Sequence, residues 1–74
     1  MEYRDNLQIE EILMKIHRAM LDCGYEPSMQ FANYILSEDP TYIPEKDNAR
    51  GLIRNVDRDD LLRFLISHYF DANQ

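Results

Sequence analysis

The sequence holds one cysteine, Cys23, so no internal disulfide can staple it. Without a disulfide framework, a reducing cytoplasmic setting is the expectation. Tryptophan is absent, and there are only two glycines, Gly24 and Gly51. Neither sits in a glycine-rich loop, which excludes a phosphate cradle of the usual kind. Basic residues are scarce: eight face fourteen acidic ones, giving a net charge of −6. That balance argues against generic binding to nucleic acid or anionic membranes, both of which need a positive field. No apolar run approaches the roughly 20 residues of a membrane span. The opening residues Met1-Glu2-Tyr3-Arg4-Asp5-Asn6 are polar and acidic, unlike a signal peptide.

What is present points to a folded domain. Hydrophobic residues make up 45% of the chain, which is ordinary for a globular protein and too many for a disordered one. With 74 residues, positions 1–74 make one domain. A chain near this size buries only about 60% of its unfolded surface and is marginal alone. Small cores without a metal or disulfide commonly borrow stability from a partner chain, so a homodimer is expected.

Periodicity predicts four helices. Ile9, Ile12, Leu13, Ile16, Ala19, Met20 and Cys23 recur at helical spacing and place the first helix from about Asn6 to Asp22. Asp5 and Gln8 resemble a capping box, Glu10 and Glu11 fall near the positive end of the helix dipole, and Gly24 suits the stop. Pro27 suits the first position of a second helix ending near Ser37, with Met29, Ala32, Ile35 and Leu36 as its buried stripe and Phe31 and Tyr34 flanking. Pro40 and Pro44 then bias Asp39 and Ile43 toward extended geometry and predict an ordered connector. Tyr42 and Ile43 within it are expected to pack on something. A short third helix is expected over Asn48–Asn55, capped by Asp47 or Asn48, although Gly51 costs it about 1 kcal/mol relative to alanine. The fourth runs from about Arg58 to Asp71, with Asp57 as cap and Leu61, Leu62, Leu65, Ile66, Tyr69 and Phe70 on its apolar face. The fold class is all-α: a compact bundle of four short helices with one extended, Pro-bracketed connector.

Motifs for chemistry are few. His17 and Cys23 are six residues apart, His68 is distant, and no CxxC or HxxxH pattern occurs, so no metal or cofactor is expected. Asp57-Arg58-Asp59-Asp60 lacks the glycine and the final glutamate of a calcium loop, and helix capping explains it better. Ser67 and His68 are neighbours whose side chains diverge by about 100° on a helix, unlike a nucleophile and its base. Cys23 sits near a helix C-terminus, where the dipole disfavours a thiolate, and reads as a small buried residue. A catalytic pocket of several hundred Å3 is hard to enclose in so small a chain, and no enzyme is expected.

One arrangement stands out. Arg50, Arg54 and Arg58 are four apart and form a basic stripe if helix continues through them, suited to carboxylate or phosphate. Against this stands a solvated face whose arginines pair with Asp47, Asp57 or Asp59 for about 0–1 kcal/mol each. A break at Asp57 would splay Arg58 from the other two. Tyr25, Tyr34, Tyr42 and Tyr69 suit half-buried positions, whether at an interface or at the edge of the core.

Gly24-Tyr25-Glu26-Pro27, Gln30, Tyr34-Ile35-Leu36-Ser37, Asp39-Pro40, Tyr42-Ile43-Pro44, Asn48-Ala49-Arg50, Ile53-Arg54 and Arg58-Asp59 stand in register. Together, over roughly residues 24–70, they resemble the IreB family of small regulatory proteins; the first helix matches in pattern only. The resemblance implies a helical, homodimeric, cytoplasmic protein of Gram-positive bacteria with no enzymatic activity. It implies regulation of cell-wall (peptidoglycan) synthesis downstream of a membrane Ser/Thr kinase, in some members by controlling Clp-protease degradation of the first committed enzyme. Arg50, Arg54 and Arg58 match positions whose basic residues are implicated in activity. Three departures matter: Glu45 stands where the family is usually basic, Glu26 where it favours asparagine, and the only threonine is Thr41. The family switches off by phosphorylation of threonine in an N-terminal tail, so that switch is expected to be missing here.

The leading expectation is a homodimeric adaptor that binds proteins through Arg50, Arg54 and Arg58, with Tyr42, Ile43 and Phe70 as dimer-contact candidates. By resemblance its partners would be the Clp protease system, the peptidoglycan-synthesis enzyme or the kinase. The rivals are a helix-turn-helix-like nucleic-acid binder, opposed by the charge, and a structural partner subunit.

Overall fold

The computed structural model describes residues 3–73, and the side chains of residues 7–73. Four helices follow one another: α1 (Tyr3–Asp22), α2 (Pro27–Ser37), α3 (Ala49–Ile53) and α4 (Arg58–Ala72). Two short 3-10 turns, Pro40–Tyr42 and Lys46–Asn48, lie between α2 and α3. No strand occurs among the described residues.

α1 begins about three residues before the expected Asn6, so its backbone already runs through Asp5, and Glu10 and Glu11 fall mid-helix rather than near its positive end. The proposed Asp5 cap lies outside the described side chains. Ile9, Ile12, Ile16, Ala19 and Met20 give α1 a continuous buried face, as their spacing predicts. Its end is a Schellman stop. Gly24 takes φ 76°, the Tyr25 N–H donates to the Met20 carbonyl at 2.8 Å, and the Gly24 N–H donates to that of Leu21 at 3.1 Å. Cys23, expected inside, is exposed, because the stop turns it away from the face that Met20 buries.

α2 starts as expected, with Pro27 in the first turn and the Glu26 carboxylate accepting the Met29 N–H at 2.6 Å. Its inward face is rotated from the expected stripe. Tyr34 is buried and Phe31 and Ile35 are partly buried, whereas Met29, Ala32 and Leu36 are exposed. The Gln30 side-chain amide donates to the Tyr42 carbonyl at 3.0 Å. That bond fastens α2 to the connector and turns the Gln30, Phe31, Tyr34 and Ile35 side inward.

The connector is ordered by side chains rather than by a ladder. Asp39 accepts from both the Thr41 N–H (2.9 Å) and the Thr41 hydroxyl (2.7 Å), capping the first turn. Pro44 is buried and Ile43 has no exposed surface; burying an isoleucine fully contributes about 1.5–3 kcal/mol. The polar backbone beside it is satisfied: the Arg50 Nε donates to the Ile43 carbonyl at 2.9 Å, and the Arg50 N–H to that of Pro44 at 3.1 Å.

α3 is shorter than expected, five residues, and the preceding Asp47 and Asn48 both take left-handed backbone (φ 54° and 60°). Neither caps it through a side chain, because in that geometry Asn48 folds over Gly51 instead. A methyl group on residue 51 would collide with Asn48 Oδ1, so the glycine that weakens the helix leaves room for the Asn48 side chain as it lies here. α1 packs chiefly on α3, through Ala49 and Ile53, both without exposed surface.

α4 is capped as expected, with Asp57 accepting the Asp59 N–H at 2.8 Å. Leu61 is wholly buried and Phe64 partly so. The rest of its apolar side chains, Leu62, Leu65, Ile66, Tyr69 and Phe70, are all exposed.

Candidate functional site

The three arginines do not form one stripe. α3 ends at Ile53 and α4 starts at Arg58, so the helical register breaks between Arg54 and Arg58. Arg50 is part of the fold. Besides its bond to Ile43, its Nη1 lies 2.7 Å from Glu45 Oε1. Glu45, the acidic departure in the sequence, thus neutralises the arginine beside it.

Arg58 is also committed. Its Nη1 donates to the Ile35 carbonyl at 2.6 Å and its Nη2 lies 2.8 Å from Glu38 Oε2. Ile35 is in the last turn of α2, where carbonyls lack helical partners and the dipole is negative, so a guanidinium there acts as a cap from another helix. Arg54 differs from both: it is exposed and its side chain makes no hydrogen bond or ion pair among the described residues. The expected pairing with Asp47, Asp57 or Asp59 does not occur; the partners are Glu45 and Glu38, which sequence spacing did not suggest.

Arg54 and Arg58 are nevertheless brought together. Both line an open cleft of about 470 Å3 between the end of α2 and the start of α4, with Tyr34, Glu38, Asp57 and Asp59. Arg50 lies outside it. The backbone at Glu38 is left-handed (φ 64°), where it closes α2 by donating its N–H to the Tyr34 carbonyl at 2.8 Å.

Two titratable groups outside the cleft are shifted. The Thr41 hydroxyl and N–H, helped by the charge of Arg50, hold the Asp39 carboxyl below its ordinary range. The Asp22 carboxylate, 3.1 Å from Lys46 Nζ, holds that ammonium above its ordinary range.

A second surface is apolar. Leu21, Phe31, Ile35, Leu36, Leu62 and Leu65 line an open groove of about 830 Å3 between α1, α2 and α4. Of the dimer-contact candidates, Phe70 is 61% exposed and Tyr42 is half-buried, whereas Ile43 lies in the protomer's own core and offers no surface to a partner. Among the described residues, no three His, Cys, Asp or Glu side chains are grouped to hold a metal ion. No helix among them is long and apolar enough to cross a membrane.

The family model described as the IreB regulatory phosphoprotein matches residues 1–71. A UPF0297 protein from Ruminiclostridium cellulolyticum is 42% identical over 64 residues, covering 86% of this chain and 73% of that protein.

Proposed function

Because the chain belongs to the IreB family, we propose that it is a non-enzymatic regulatory adaptor of cell-wall (peptidoglycan) synthesis in the cytoplasm. It works as a homodimer and binds other proteins. The observation that carries this reading is Arg54: a guanidinium without a partner among the described residues, set in the same cleft as Arg58 on an acidic protein. An unpaired arginine at a cleft is suited to bidentate recognition of an acidic group on another protein. Arg58 holds the cleft in shape through Ile35, and Arg50 holds the connector behind it.

The exposed apolar side chains of α4 support the homodimer. Leu62, Leu65, Ile66, Tyr69 and Phe70 lie within nine residues, and exposed apolar surface of that density marks protein interfaces. The sole threonine of the sequence, Thr41, is engaged with Asp39.

The test is capture from native lysate by the tagged protein and its Arg54→Ala variant. The expected result is that wild type retains a Clp unfoldase, the first committed enzyme of peptidoglycan synthesis or the Ser/Thr kinase, and the variant does not. Equal retention by the variant would remove the arginine cleft from the mechanism.

A further inference from the structure

The cleft at Arg54 is not an empty positive hole. Its two arginines are faced by three carboxylates, Glu38, Asp57 and Asp59. An incoming acidic group therefore gains little unless one already present gives way. Asp57 is fixed, because it caps α4 through the Asp59 N–H. Glu38 is attached differently. Among the described residues its carboxylate makes one ion pair, to Arg58 Nη2 at 2.8 Å, and its side chain is 67% exposed. Exposed pairs of this kind are weak and screened by salt. Its backbone is also unfavourable for a glutamate: φ 64° is a conformation that glycine adopts freely and a residue with a Cβ does not.

From this we infer that the cleft is a carboxylate-binding site, and that Glu38 is its built-in occupant, displaced when an Asp or Glu side chain of a partner protein docks between Arg54 and Arg58. The inference rests on the protein-binding reading above and specifies its chemistry. Glu38 satisfies Arg58 in the free protein and competes with the partner, so it sets both affinity and selectivity. A neutral or basic segment gains nothing at Arg54 and leaves Glu38 in place. Only a segment carrying a carboxylate replaces the internal pair and adds the second arginine.

The probe is a hexaglutamate peptide titrated into the 15N-labelled full chain, read by the Nε–Hε resonances of Arg54 and Arg58. Glu38→Gln keeps the side-chain size and the backbone strain but removes the competing charge. It is expected to tighten binding at least fivefold and to shift both arginines. Glu38→Gly, which also relieves the backbone, is expected to bind at least as tightly. Arg54→Ala is expected to abolish the Arg58 shift. Unchanged affinity in both Glu38 variants would overturn the inference, as would peptide-induced shifts away from this cleft or no binding by any variant. The two readings fail separately. Partner capture that depends on Arg54 but is indifferent to Glu38→Gln leaves the adaptor standing and sinks the internal competitor. Capture indifferent to Arg54 removes the cleft and its competitor while a retained partner keeps the adaptor, and capture of no partner by wild type sinks the adaptor.

Discussion

α1 and α4 carry the same kind of sequence and meet different fates. Each has isoleucines, leucines or aromatics at helical spacing, and each sequence alone predicts a buried face. In α1 that face lies under α3 and the core, and Ile16, Ala19 and Met20 have no exposed surface. In α4 only Leu61 reaches the same depth, while Ile66 is 49% exposed and Phe70 61%. Periodicity identifies a face that wants cover; it does not say whether the cover belongs to the same chain. The difference separates what holds the protomer together from what is left to hold something else.

The comparison breaks most visibly at Ile16 and Ile53, both in the core without exposed surface. Truncating either to alanine removes buried methylene groups and leaves a cavity, at a cost of about 2–5 kcal/mol. For a domain of this size that is enough to abolish the cooperative thermal transition seen by circular dichroism. The corresponding change in outer α4, Ile66→Ala or Phe70→Ala, should leave the isolated protomer nearly as stable. Replacing Leu65 and Ile66 together by aspartate sharpens the contrast. Sedimentation is expected to show wild type as a dimer of the 8.9 kDa chain. The double aspartate variant is expected to sediment as a folded monomer. A monomeric wild type at high micromolar concentration would mean that α4 awaits some other partner.

Helix number, order and most ends were legible because they depend on local chemistry. Pro27, Gly24 and Asp57 do at their positions what their backbone preferences and side chains dictate. What was illegible depends on contacts across the chain. The inward face of α2 is set by Gln30 reaching the Tyr42 carbonyl twelve residues away, so the stripe through Met29 and Leu36 pointed to the wrong side. The arginines show the same division. Their spacing drew attention to them, but Arg58 is tied to a carbonyl 23 residues back, and no spacing rule anticipates that. The positive backbone angles at Asp47 and Asn48 are another such case, since these residues read as ordinary helix caps. The family resemblance is of a different kind: it rests on several short motifs in register, and the family match over residues 1–71 confirms it.

Arg58 and Arg54 carry the comparison down to single residues. Arg58→Ala removes a charged hydrogen bond to a helix end and an exposed ion pair, and should destabilise by about 1–2 kcal/mol. Arg54→Ala, which removes no side-chain bond among the described residues, should stay within about 0.5 kcal/mol of wild type. Urea denaturation of the two variants measures the difference directly. Equal destabilisation would mean that Arg54 serves the fold rather than a partner.

The smallest expected effect is confined to the connector, between the two regions. Asp39 holds the Pro40–Tyr42 turn through the Thr41 N–H and hydroxyl, and these bonds keep its carboxyl below the ordinary range. A group whose folded pKa is depressed stabilises the fold above its unfolded value, and that contribution is lost as pH falls through the folded value. The turn should therefore persist at neutral pH and through the upper part of the ordinary aspartate range, and loosen only in more acid solution. The Thr41 amide resonance, followed by NMR against pH, should titrate with a midpoint below that of an exposed aspartate. Thr41→Val removes the hydroxyl bond, which is the largest cause of the shift, and leaves the N–H bond; the midpoint should move upward without reaching the ordinary value. Because Asp39 is exposed and the turn is local, Ile16 and Ile53 should not sense this titration. A core resonance that followed the Thr41 amide would show that the connector and the core unfold as one unit.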